Sequence, residues 1–193
     1  MQNVILKQDF SEAIEHGMYV SNMAYEIGKE IGLQEEKLQD LAIAGVLHDI
    51  GKLKLLDETD KDNMVIEQLR YVRMHSKLSY EILKDSEYSD FVLESILYHH
   101  ENFDGTGYPS NLSGEDIPIG ARILRVCDVF IALVSNRAYR KAFDKNTAVT
   151  MMMEEVKNFD MKIFLAFLNV INGIDIDTAI FNRQLIKKDI VEI

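Results

Sequence analysis

Between residues 11 and about 31, Val20, Met23, Ala24, Ile27 and Ile31 recur at helical spacing, which predicts a first helix with Ser11 as its N-cap. One turn back from Val20 lies His16, and one turn further lies Glu12, so two polar residues fall on or beside the apolar stripe. A second helix is predicted from Glu35 to His48, where Leu38, Leu41, Ala42 and Gly45 lead in phase to His48 and Asp49, and Gly51 closes it. A third, Val65 to Leu83, places His75, Leu78, Ser79 and Ile82 on one face. A fourth, starting near Asp90, runs through Val92, Leu93, Ile96 and Leu97 to His99 and His100. Residues 101–120 hold four of the ten glycines and both prolines, and they predict one long loop with a ligand-binding or lid role. Helix resumes from Gly120 to Asn136, with Ala121, Leu124, Asp128, Ile131 and Ala132 on one stripe. Two more follow, Thr147–Asn158 and Asp160–Ile171, the former with Met151, Met152 and Met153 as core filling. Past Asn172 and Gly173, apolar residues alternate at Ile174 and Ile176 and then less regularly to Ile193, a pattern that fits a short C-terminal β-hairpin or an oligomer contact. The fold class predicted is an all-α helical bundle, a single domain over residues 1–193 with its core at about 11–165 and an extension at about 174–193.

Composition narrows the function. A net charge of −11 argues against binding a DNA or RNA polymer or an anionic membrane, because counterion release needs clustered Lys and Arg. No stretch approaches a membrane span, and Lys7 and Asp9 interrupt the N-terminal segment where a signal peptide would need an apolar run. The single Cys127 suits a reducing compartment, so the cytoplasm is the expected location. Residues 57–63 are acidic but lack the EF-hand spacing and read as a solvated connection. Between Arg122 and Lys141 the local sign reverses, with five basic residues and one acid. Arg137 and Arg140 are therefore candidates for holding a phosphate, set against the plainer reading of arginines at a helix end.

The inward polar residues form one chemical set: His16, His48, Asp49, His75, His99, His100 and Asp128, with Glu12 as an eighth, and every histidine of the chain is in it. Adjacent histidines differ by about 100° around a helix, so His99 and His100 reach one pocket only if something there holds both. Asp49 closes an apolar run, and a carboxylate buried there is costly unless it is paired or bound to a cation, which a metal would supply. Imidazole and carboxylate without thiolate suit Fe, Mn or Zn, and so many ligands imply two or three ions. A hydroxide bridging two such cations is a strong nucleophile at neutral pH, and Lys52, one turn past His48, can reach a phosphate or leaving oxygen.

The chain resembles the HD-GYP family, a bacterial subgroup of the HD-domain metal-dependent phosphohydrolases. His48-Asp49-Ile50-Gly51-Lys52 matches the HD element, and His99-His100-Glu101 with Asp104-Gly105-Thr106-Gly107-Tyr108-Pro109 matches the second signature, with His16, His75 and Asp128 in the expected order. The likeness covers about residues 11–165. It implies a helical bundle hydrolysing cyclic di-GMP to linear pGpG and in many members to GMP, with Fe or Mn held by the matched histidines and aspartates and Asp49 bridging two ions. Lys52 resembles the lysine that stabilises substrate or transition state, and Tyr108, Arg137 and Arg140 resemble positions that contact the dinucleotide. The chain departs from the pattern at Ala138, where members usually carry Pro, and no sensory domain of the kind often fused N-terminally is expected within these 193 residues. Beside the cyclic dinucleotide, a homodimer contact or a separate regulatory protein is the further partner considered. The competing readings are an HD-type hydrolase of nucleotides or alarmones, a hydrolase of mixed cyclic GMP-AMP, and a non-catalytic module that binds a nucleotide.

Overall fold

The computed structural model describes residues 10–52, 65–137 and 140–181. These form eight α-helices: α1 (Phe10–Glu30), α2 (Glu35–Leu47), α3 (Val65–Leu83), α4 (Asp90–Tyr98), α5 (Ile119–Val134), α6 (Lys145–Glu154), α7 (Met161–Gly173) and α8 (Ile176–Ala179). Two 3-10 turns join them, Gly114–Asp116 and Val156–Asn158. Among the described residues there is no strand, as the periodicity predicts. Side chains start three helices by taking up free backbone N–H groups. Ser89 accepts from Val92 N at 3.3 Å, Asp144 from Asn146 N and Thr147 N at 3.0 Å each, and Asp160 from Lys162 N at 2.8 Å.

α5 is the hub. It packs on α1, α4, α6 and α7, and Ile123, Leu124, Cys127, Phe130 and Ile131 are fully buried in the shared core. Each such Leu, Ile or Phe side chain contributes roughly 1.5–3 kcal/mol by leaving water. α1 crosses α2 closely because glycines face each other's helix there. A methyl on Gly45 would lie 2.6 Å from Ser21 Cα, and one on Gly17 would lie 2.7 Å from Val46 O. That approach brings α1 beside the end of α2, and the His16 and His48 ring centroids are 5.4 Å apart.

Several expectations are corrected. Ser11 lies inside α1, which begins at Phe10, so it is not the N-cap. The buried face of α3 is His75, Ser76, Ser79 and Leu83, while Ile82 is 41% exposed, because the helix rotates its polar residues toward the site. Of the three consecutive methionines only Met152 is core. Met151 and Met153 are 37% and 57% exposed, since consecutive helical residues cannot share one face. Ile176 starts a helical turn and not a strand, and the remainder of the anticipated hairpin, residues 182–193, lies outside the described residues, as do the acidic connection at 57–63 and Ala138. Gly51 has no positive φ. Its Cβ position is taken by α3: a methyl there would meet the His75 carbonyl and lie 2.6 Å from Ser79 N, so glycine permits a close approach and does not act as a helix cap.

Candidate metal centre

Five helices deliver seven of the eight anticipated ligands to one place. His16 comes from α1, His48 and Asp49 follow the last turn of α2, His75 sits in α3, His99 and His100 follow α4, and Asp128 lies in α5. The nitrogens and carboxylate oxygens gather in two groups, His16–His48–Asp49 and His75–His99–His100, with the ligand atoms of each within 4.8 Å of one another. The imidazoles form a continuous row, in which centroids step 5.4 Å from His16 to His48, 5.0 Å to His99, 4.1 Å to His100 and 4.7 Å to Tyr108. Asp128 Oδ1 is 3.0 Å from His16 Nε2 and 3.9 Å from His48 Nε2, and Asp49 Oδ1 is 3.1 Å from His75 Nε2.

Backbone contacts fix which nitrogen faces inward. His48 Nδ1 lies 2.8 Å from Gly45 O and His99 Nδ1 2.7 Å from Ile96 O, so each Nδ1 donates its proton and each Nε2 keeps a lone pair. Ser79 Oγ donates to His48 O at 2.8 Å and accepts from Gly51 N at 2.9 Å, tying α3 to the turn that carries His48 and Asp49.

The site fits cations. His48 Nε2 is buried with no hydrogen-bond partner, and His75 Nε2 lies 3.3 Å from His99 Nε2 and 3.0 Å from His100 Nε2, three ring nitrogens converging on one another. Burial holds His99 well below the usual imidazole range, helped by the neighbouring histidines, and holds His100 at about 3 against the pull of Asp128, so both rings stay neutral near neutral pH. Burial and the adjoining His48 lower His16 as well, against the pull of Asp128. His48 goes the other way, because Asp49 and Asp128 outweigh its burial. Burial opposes ionisation of the two aspartates, yet the His48 and Lys52 charges around Asp49 and the His16 hydrogen bond to Asp128 hold both well below the carboxylate range. Neutral imidazoles and ionised carboxylates with no thiolate are the donor set of a transition-metal site.

A scan against protein-family models matches the HD domain over residues 1–163. The chain belongs to the HD-domain family. Within it the HD and Gly-Tyr-Pro signatures place it in the HD-GYP subgroup. This HD-GYP chain is 32% identical over 171 residues to the cyclic di-GMP phosphodiesterase PA4108 of Pseudomonas aeruginosa, covering 87% of the chain and 41% of that protein. It is 32% identical over 169 residues to the 3'3'-cGAMP-specific phosphodiesterase 1 of Vibrio cholerae, covering 85% and 39%. The chain thus spans about two fifths of the length of these curated relatives. Among solved structures, Bd1817 of Bdellovibrio bacteriovorus, described as an HDG"Y"P protein, superposes with a TM-score of 0.69 at 20% identity, over 90% of this chain and 55% of that one, a likeness of fold.

The remaining anticipated residues of this HD-GYP centre fall in different places. Lys52 Nζ is 2.5 Å from Asp49 Oδ2 at the solvent edge of the site. Tyr108 stacks on His100 at an interplanar angle of 24°, with its own backbone N–H donating to His100 O at 3.2 Å. Glu12 is exposed and belongs to neither ligand group, but it lines a cavity of about 490 Å³ together with His16, Tyr19, Asn136 and Arg137. Arg140 is committed to the end of α5: its Nη1 donates to Leu133 O at 2.9 Å and Lys141 O at 2.8 Å, its Nη2 to Ala132 O at 2.7 Å, and its guanidinium lies over Phe143. That is the geometry of a helix-end arginine, and it leaves Arg137 as the basic residue facing the cavity.

Glu101 was not anticipated. It is 2% exposed, its Oε1 accepts from Ser110 N at 2.6 Å, and burial pushes its carboxyl up. It ties the loop carrying Tyr108 to the two histidines before it. Arg125, three residues before Asp128 on α5, was also unassigned; its Nε donates to Asn102 Oδ1 at 3.1 Å. Its position one turn from an inward aspartate was the available signal.

Proposed function

We propose that the chain is a metal-dependent phosphodiesterase that hydrolyses cyclic di-GMP to pGpG. The observation that carries the reading is the convergence of the His75, His99 and His100 ring nitrogens beside a second group, His16, His48 and Asp49, whose ligand atoms also lie within 4.8 Å of one another, an arrangement that a bound cation stabilises. His16, His48, Asp49 and Asp128 would hold one ion and His75, His99 and His100 another, with Asp49 between the groups. Iron or manganese bound there supplies Lewis acidity toward phosphate oxygens and a nucleophilic water at neutral pH. In the hydrolysis water adds to phosphorus, the P–O3′ bond breaks, and O3′ leaves as a hydroxyl.

The chain's own groups orient and neutralise. Lys52 holds Asp49 ionised and, at the solvent edge, keeps further N–H donors for a phosphate or leaving oxygen. Tyr108 is fixed against His100 beside the ligand groups, where a nucleotide can meet it, and Arg137 faces the cavity at the His16 end, where a phosphate can be met by a guanidinium fork. The relatives at 32% identity include hydrolases named for cyclic di-GMP and for 3'3'-cGAMP, so mixed cyclic GMP-AMP is the second substrate reading. Glu12 is proposed as a ligand of a third ion at the cavity mouth, one turn before His16.

The test is elemental analysis of protein prepared anaerobically with added metal, with hydrolysis of cyclic di-GMP, cyclic GMP-AMP and cyclic di-AMP followed on the same sample. Two or more ions per chain and fastest turnover of cyclic di-GMP are expected, and Glu12→Gln should lower the count toward two. Less than one ion per chain with no turnover would overturn the assignment. Equal metal counts and rates in wild type and Glu12→Gln would remove Glu12 from it.

A further inference from the structure

A cyclic dinucleotide carries two phosphates, and only one is cleaved at a time. The row of rings from His16 to Tyr108 has Arg137 at one end. At the other end stand two arginines not yet assigned, one over Tyr108 and one bonded to the loop that carries it. The Arg73 guanidinium lies over the Tyr108 ring, 5.2 Å from its centroid. A guanidinium stacked on a ring keeps its edge N–H groups free to grip an anion. Arg125 is half-buried on α5 and is aimed by a chain of side chains: Asn102 Oδ1 takes its Nε proton at 3.1 Å, Asn102 Nδ2 donates to Thr106 Oγ1 at 3.0 Å, and Thr106 Oγ1 donates to Asp104 at 2.6 Å. Among the described residues Arg125 makes no ion pair and its two Nη groups make no hydrogen bond; Asp128 and Glu155 are the carboxylates whose charge reaches it. In a chain of net charge −11, one guanidinium over the Tyr108 ring and a second, half-buried without a carboxylate partner and bonded to Asn102 in the loop that carries Tyr108, make a local concentration of positive charge at the edge of the site.

We infer that Arg73 and Arg125 form a second phosphate subsite, which holds the uncleaved phosphate of a cyclic dinucleotide while the scissile one lies over the ligand groups. The inference rests on the proposed phosphodiesterase reading and adds to it how a two-phosphate substrate is told from a one-phosphate one. Arg137 contacts the phosphate being cleaved, and Arg73 and Arg125 contact the other. A diester with a single phosphate therefore uses Arg137 and the metal ligands but leaves the Tyr108 end empty.

The experiment compares Arg73→Gln, Arg125→Gln and the double variant with wild type, all metal-loaded, on cyclic di-GMP and on bis(p-nitrophenyl) phosphate, which has one phosphate. Binding of cyclic di-GMP is measured separately by titration calorimetry. Expected is a KM for cyclic di-GMP raised roughly ten- to a hundredfold by losing charge-assisted hydrogen bonds, with a matching loss of binding, and turnover of bis(p-nitrophenyl) phosphate within about twofold of wild type. Unchanged binding in the double variant overturns the subsite, and so does an equal loss on both substrates, which marks the arginines as structural. If wild type binds cyclic di-GMP without cleaving it, the hydrolase reading falls while arginine-dependent binding still supports the subsite. If wild type neither binds nor cleaves it, both fall.

Discussion

Gly51→Ala tests whether the two ligand groups are assembled by the close approach of α3 to the turn after α2. The added methyl would meet the His75 carbonyl and lie 2.6 Å from Ser79 N and 2.9 Å from Ser79 Oγ, where ordinary contact starts at 3.4 Å. Two of those three atoms are backbone, so no rotamer change relieves the clash, and α3 must retreat by about 0.8 Å or more. Overpacking of this kind costs about 1–3 kcal/mol. The retreat also strains the Ser79 Oγ bridge to His48 O and Gly51 N, and it draws His75 away from Asp49 Oδ1, now 3.1 Å from its Nε2. A displacement approaching 1 Å in a positioned site can lower turnover by about a hundredfold. The assay has two arms: urea unfolding of metal-free protein, and metal content with turnover of the loaded protein. A stability loss of about 1–3 kcal/mol with metal content falling by at least one ion per chain is expected. A variant with wild-type stability and full metal content would refute the argument, because α3 would then have room that the structure denies it.

Other outcomes follow from the same geometry. Arg140→Ala should lower stability by about 1–2 kcal/mol through three lost bonds to carbonyl oxygens, read by denaturation, and leave dinucleotide affinity within twofold, whereas Arg137→Ala should weaken affinity and spare stability. Metal-free protein should lose stability as pH falls below about 6.5, the ordinary histidine value. His16, His99 and His100 have lowered values in the fold, so between 6.5 and the folded value, about 3 for His100, the unfolded chain binds protons that the native one refuses. Each such histidine contributes a slope of up to about 1.4 kcal/mol per pH unit, and the low values of Asp49 and Asp128 steepen the loss below about pH 4. His48, raised in the fold, acts in the opposite sense: its contribution is full below 6.5 and is lost as pH rises through its folded value. Denaturation midpoints measured from pH 8 to 4 check this, and a flat profile below 6.5 would contradict the assigned burial of the histidines.

Much of the site was legible because helical periodicity alone turns His16, His75 and Asp128 inward, and because His48, Asp49, His99 and His100 each end a recognisable apolar stripe. What escaped depends on partners distant in the chain. A glycine after a helix reads equally as a left-handed cap or as a gap for a neighbour, and only the position of α3 decides for Gly51. Arg140 carries the charge expected of a phosphate ligand, but its neighbours turn out to be the carbonyls of Ala132 and Leu133, whose direction no composition reveals. Ile82, Met151 and Met153 look like core by type, yet no element covers those faces among the described residues. Glu101 sits in the most informative stretch of the chain, and its task, holding the backbone of Ser110 nine residues later, is a tertiary one.

His48 and His99 are each anchored by Nδ1 to the carbonyl three residues earlier in their own helix, Gly45 and Ile96. The inward-facing nitrogen is therefore aimed by the last turn of the helix that precedes it, so the aim is inherited from helix length. Adding or deleting one residue between Leu41 and His48, or between Val92 and His99, would rotate the ring by about 100° and carry it about 1.5 Å along the axis, out of the row. Inserting residues after Lys52 leaves both anchors untouched. The geometry thus amounts to a counting rule: a change in loop length should leave the rings in place, while a single-residue insertion or deletion in α2 or α4 should displace them even with every side chain preserved.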